Sequence, residues 1–101
     1  MTGYDCVDLE ACRQRNIAVH NVPAYSTDSV AELVLGLTIG LLRNLNYADQ
    51  SFRTGGAWAL PFGPGRELSG KTVGIIGTGA IGLRVAEIFK VFKCKLIGMF
   101  V

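Results

Sequence analysis

The stretch GIIGTGAIGLRVAEIF, residues 74–89, decides the fold. An apolar run, KTVGII, leads straight into Gly77, and a segment with helical apolar periodicity, IGLRVAEIFKVF, departs after Ala80. Gly77, Gly79 and Gly82 stand between them in GxGxxG spacing. With 13 glycines in the chain, the string alone also fits an ordinary tight turn. The strand before it and the helix after it are what the dinucleotide fingerprint requires. Each glycine then has a mechanical task. Gly77 permits the sharp turn, Gly79 lacks the Cβ that would block a pyrophosphate, and Gly82 lets the helix lie close to the strand. The N–H groups of Ala80, Ile81 and Gly82 would face the phosphates, helped by the positive end of the helix dipole.

Working outward, CKLIGMF reads as a second strand after the helix, and ELSGK as the turn before the first. One βαβ unit with parallel strands follows, hence an α/β chain: a partial Rossmann-like parallel sheet preceded by a long helix. The fingerprint also asks for an acid about twenty residues on, to hold the adenosine ribose. Counting along the unit reaches Phe100, and no Asp or Glu follows Glu87. Nor does an Arg stand beside Phe100 to receive a 2′-phosphate. The phosphate cradle is present, the ribose clamp is not, and the choice between NAD and NADP stays open.

Upstream, STDSVAE offers Ser29 with Glu32 three residues on, a capping-box arrangement. From Asp28 the helical pattern runs to Gly55-Gly56, predicting a rod over 28–54 of roughly 40 Å at about 1.5 Å per residue. Its first half is apolar almost all round, so the rest of a larger protein or a partner subunit must cover it. Residues 5–16 predict a short amphipathic helix with Asp5 or Asp8 as N-cap and Asn16 as its stop. IAVHN, 17–21, is a brief strand candidate ended by Pro23. WALPFGPG, 58–65, reads as an ordered surface loop in which Trp58 and Phe62 pack locally or meet a partner.

Composition narrows the function classes. At 101 residues the chain is expected to form one compact domain. Net charge is +2, with only Lys90, Lys93 and Lys95 grouped, a pattern of a solvated helix end and not of a nucleic-acid or membrane surface. Three cysteines, Cys6, Cys12 and Cys94, lack CxxC or Cys/His metal spacing and read as free thiols in a reducing, cytoplasmic compartment. No secretory signal opens the sequence, and VAELVLGLTIGLL is too short to span a bilayer. The lone His20 and the three thiols have no partner that would make them reactive.

The stretches TGYDCVD, NVPAYSTDSVAE and ELSGKTVGIIGTGAIG, in that order, make almost the whole chain resemble an internal part of a D-isomer-specific 2-hydroxyacid dehydrogenase. The resemblance implies an NAD(P)-dependent enzyme with a substrate domain, a cofactor domain and a cleft between them. Residues 1–22 would be the tail of the substrate (catalytic) domain and the crossover; 23–101 would be the first part of the NAD-binding domain, with 28–54 as a dimer-arm helix. Thr2 and Gly3 match the loop near the substrate carboxylate, Val30 the residue bordering the nicotinamide, and Ala80 and Ile81 the pair holding the pyrophosphate. The family's ribose acid is replaced here by Phe100, and its catalytic Arg and acid-supported His match no residue of this chain. The resulting expectation is a dinucleotide-binding fragment, inactive alone, homo-oligomeric through 28–54, with a 2-hydroxy or 2-keto acid bound only in a full-length parent. Two rivals remain: an interaction or dimerisation module with no cofactor role, and an unrelated α/β protein with a fortuitous turn.

Overall fold

In the computed structural model of the chain, residues 3–55 and 63–100 are described. The βαβ unit forms as expected. Strand β1, Thr72–Ile76, is followed by helix α4, Ala80–Val91, and strand β2, Lys95–Met99. The strands pair in parallel, from Thr72 opposite Lys95 to Ile76 opposite Met99. A hydrogen bond from the Lys95 N–H to the Lys71 carbonyl, 2.8 Å, extends the pairing by one step. The ELSGK turn places Gly70 at φ +73° and returns the Lys71 N–H to the Leu68 carbonyl at 3.1 Å.

Before the sheet come helices α1, Leu9–Gln14, α2, Thr27–Arg43, and α3, Leu45–Arg53. Asp8 caps α1, accepting from the Ala11 N–H at 2.9 Å, and Asn16 ends that turn at φ +54°. The single rod expected over 28–54 is two helices. Asn44 adopts the left-handed conformation, φ 53° and ψ 36°, and closes α2 by donating its N–H to the carbonyls of Gly40 and Leu41. Asparagine tolerates that conformation better than other non-glycine residues, so it ends one helix and starts another without interrupting the apolar pattern. Nor does the Ser29–Glu32 capping box form. Ser26 occupies the cap position, and the Ser29 hydroxyl donates back to the Ser26 carbonyl at 3.3 Å.

Residues 17–21 are not assigned to a strand in the structure. Trp58 and Phe62, with most of the 58–65 loop, lie outside the described residues. Among the described residues no helix is long and apolar enough to cross a membrane.

Helices α2 and α4 pack together on one face of the two-stranded sheet. Ala31, Leu68, Val85 and Phe89 are buried at the centre, with Val34, Leu35 and Ile39 of α2 and Val73 and Ile75 of β1 around them. The opposite sheet face is bare: Ile76, Ile97 and Met99 are all more than half exposed. So is a stripe of Leu33, Leu37 and Leu41 on α2. The chain exposes 8118 Å², against roughly 5,500 Å² for a compact monomer of its mass. The expectation of one compact domain is therefore not met. An α2 that is apolar on nearly every side cannot be covered by α4 and β1 alone.

Among the described residues, Phe89 is the one large side chain fully enclosed, at 1% exposure. Replacing Phe89 by Ala should lower unfolding free energy by about 3–5 kcal/mol, read from the midpoint of a urea titration.

Candidate dinucleotide site

The site grows from the end of β1. Gly77 sits at φ +93°, a backbone conformation that side chains with a Cβ rarely adopt, and it turns the chain sharply off the strand. Its N–H donates to the Met99 carbonyl at 3.0 Å, which ties the turn to β2 as well. Gly79 is the N-cap of α4. A Cβ built on Gly79 meets nothing within 4 Å, so the space a side chain would fill lies open in front of the helix. Gly82 is the opposite case. A Cβ there would be driven into the Gly77 carbonyl oxygen, with the Ile75 side chain 3.4 Å away.

The first intrahelical bond of α4 runs from the Leu83 N–H to the Gly79 carbonyl, 2.9 Å. The N–H groups of Ala80, Ile81 and Gly82 precede it and have no acceptor within the helix. A cavity of about 410 Å³ opens in front of them, lined by Gly77, Gly79, Ala80, Ile81 and Gly82 on one side and Ala24, Ser26 and Thr27 on the other. Free backbone donors, the positive end of a helix dipole and an unfilled space at Gly79 are what a diphosphate needs. The residues present fit the group.

The second wall of this cavity went unforeseen. Ala24, Ser26 and Thr27 reach the glycine turn because α2 packs on α4 through Ala31 and Val85, with a charged tie nearer its start. Arg84 Nε lies 2.6 Å from Asp28, and the same guanidinium lies 2.7 Å from Glu87. The Glu87 hydrogen bond first, then Asp28, pushes the Arg84 guanidinium above its ordinary value. A raised value means the contribution is fully present below the unfolded-state value and lost only as pH rises through the folded one, so the tie holds through the neutral range. All three side chains are well exposed, so the pair orients α2 more than it stabilises the fold.

The other sequence candidates fall elsewhere. Val30 is half-buried, one helical turn beyond Ser26, and does not line the cavity. Gly3 is exposed in the N-terminal segment and does not line it either; Thr2 lies outside the described residues. His20 is exposed, and Cys6, Cys12 and Cys94 are free thiols.

With this geometry in view, residues 35–100 match the family model of the D-isomer specific 2-hydroxyacid dehydrogenase NAD-binding domain. A D-lactate dehydrogenase of Streptococcus agalactiae is 43% identical over 101 residues, which cover 95% of this chain and 29% of that protein. Among solved structures, D-lactate dehydrogenase from Aquifex aeolicus, complexed with NAD and lactic acid, superposes with a TM-score of 0.80 at 34% identity. That match covers 96% of this chain and 29% of the other. An acyclic imino acid reductase in complex with NADPH and D-Arg gives a TM-score of 0.80 at 39% identity, covering 96% and 32%. The chain thus spans about three tenths of the length of the curated relatives it matches.

The two glycines should separate in a denaturation experiment. Gly82→Ala is expected to cost about 1–3 kcal/mol through the forced approach to the Gly77 carbonyl. Gly79→Ala, facing open space at φ −75°, should change stability by no more than about 0.5 kcal/mol.

Proposed function

The chain belongs to the D-isomer specific 2-hydroxyacid dehydrogenases, as a portion of their NAD-binding domain, and from that premise we propose that it forms the dinucleotide-holding part of an oxidoreductase acting on the CH–OH group of D-2-hydroxy acids. The observation that carries this reading is the open space at Gly79 facing the free N–H groups of Ala80, Ile81 and Gly82. Those amides would hold the diphosphate, and Gly77 and Gly82 keep them converged on it. NAD, when bound, supplies the hydride acceptor for oxidation of the hydroxy acid.

In this reading residues 1–22, with Thr2 and Gly3, are the tail of the substrate domain and the crossover, and 23–101 begin the cofactor domain with Val30 toward the nicotinamide. Support for the division comes from α1, which packs against no other described helix or strand. The reaction also needs a base for the hydroxyl proton and a cation to orient the carboxylate. No residue here is assigned to either role, since His20 is exposed and outside the cavity lining. Turnover is accordingly a property of a full-length parent enzyme. Three free thiols suit a cytoplasmic location.

Titration with NAD+, followed by tryptophan fluorescence and melting temperature, tests the proposal. A saturable response is expected in the unaltered chain and none in Gly79→Asp, whose carboxylate would occupy the diphosphate position. An equal response from both proteins refutes the cradle.

A second reading, an interaction module that dimerises through residues 28–54, is favoured by the exposed Leu33, Leu37 and Leu41 stripe. Beside it a groove of about 420 Å³ runs along Gly36, Gly40 and Tyr47, and a second copy's leucines would fill it. Self-association is compatible with cofactor binding, so only a stable dimer with no response to NAD+ favours the module over the cofactor reading. Sedimentation should show a dimer that Leu37→Glu converts to monomer.

A further inference from the structure

The cavity at the glycine turn has two walls, and the amides of α4 account for one. A dinucleotide's diphosphate spreads its negative charge over several oxygens, and the N–H groups of Ala80, Ile81 and Gly82 approach it from the α4 side alone. The facing wall is Ala24, Ser26 and Thr27, at the start of α2. Ala24 stands at φ +57°, a left-handed conformation that alanine rarely adopts.

An anion fits between these walls only if the second presents donors to it and keeps its acceptors occupied. The acceptors are engaged. The Ala24 carbonyl takes the Thr27 N–H at 3.3 Å, and the Ser26 carbonyl takes the Val30 N–H at 2.9 Å and the Ser29 hydroxyl at 3.3 Å. Asp28, the next residue along, does not line the cavity, and its carboxylate is held 2.6 Å from Arg84 Nε. The donors are idle. Ser26 occupies the N-cap position of α2, yet its side chain makes no cap hydrogen bond. Ser26 and Thr27 are both half-buried, and neither hydroxyl has a partner among the described residues.

We propose that Ser26 and Thr27 are a second set of diphosphate-binding residues, an inference that rests on the dinucleotide reading above. Their hydroxyls donate across the cavity to the group that the amides of Ala80, Ile81 and Gly82 hold from the other side. A hydroxyl proton rotates to suit its acceptor, and a hydrogen bond to a charged oxygen is stronger than one to a neutral oxygen.

Calorimetric titration of the chain with NAD+ tests this. Thr27→Val, which keeps the shape and removes the hydroxyl, and Ser26→Ala should each weaken binding by about tenfold. Thr27→Ser, which keeps a hydroxyl, should stay within about threefold of the unaltered chain. Ser29→Ala removes a hydroxyl from the same helix start that does not line the cavity, and should leave the affinity unchanged. Thermal melts followed by circular dichroism should find Ser26→Ala folded, because the hydroxyl it removes caps nothing. Unchanged affinity in folded Thr27→Val or in folded Ser26→Ala, while Gly79→Asp loses binding, overturns the second wall and leaves the cradle standing. Thr27→Ser as weak as Thr27→Val assigns the effect to packing, and an equal loss in Ser29→Ala assigns it to the helix start at large; either result overturns the proposal. No binding of NAD+ to the unaltered chain removes the cofactor reading itself, and this inference with it.

Discussion

The structure depends on one close approach. At Gly82 the backbone of α4 comes so near the Gly77 carbonyl that no side chain fits between them. That contact sets the angle at which the helix leaves the strand, and so where its first N–H groups point. Gly77 is in turn fastened to β2 through the Met99 carbonyl. Strand, turn, helix and second strand therefore share a single steric allowance, and the cavity in front of Gly79 is its consequence.

What could be read from the sequence was whatever depends on near neighbours along the chain. The glycine spacing, the apolar strand before it and the 3.6-residue period after it lie within twenty residues, and they located β1, α4 and the site together. The Asp8 cap and the Asn16 stop are equally local. The break at Asn44 escaped because the apolar pattern continues across it and a left-handed asparagine costs little. IAVHN is not a strand in the structure, although its composition reads as one. Of the site, the glycine side was legible and the side formed by Ala24, Ser26 and Thr27 was not. That wall is brought in by packing between helices more than fifty residues apart, and nothing in the local pattern specifies it.

The apolar surface follows from the same division. Helix α2 places Ala31, Val34, Leu35 and Ile39 toward the core and Leu33, Leu37 and Leu41 away from it. A helix so built needs two covers, and α4 with the sheet provides one. The bare sheet face at Ile76, Ile97 and Met99 makes the same demand. A core of Ala31, Leu68, Val85 and Phe89 holds the βαβ unit and α2 together, while α1 packs against no other described element.

The two halves of a dinucleotide site place different demands on a sequence. A diphosphate is held by backbone N–H groups, so the cradle asks only that glycines stand where a Cβ would intrude; the identities of Thr78 and Ala80 hardly enter. Recognition of the ribose is made by a side chain at the end of β2, where the backbone is indifferent to what it carries. Phe100 lies outside the packed core and bears none of its constraints. The anion-binding geometry is therefore locked to the fold.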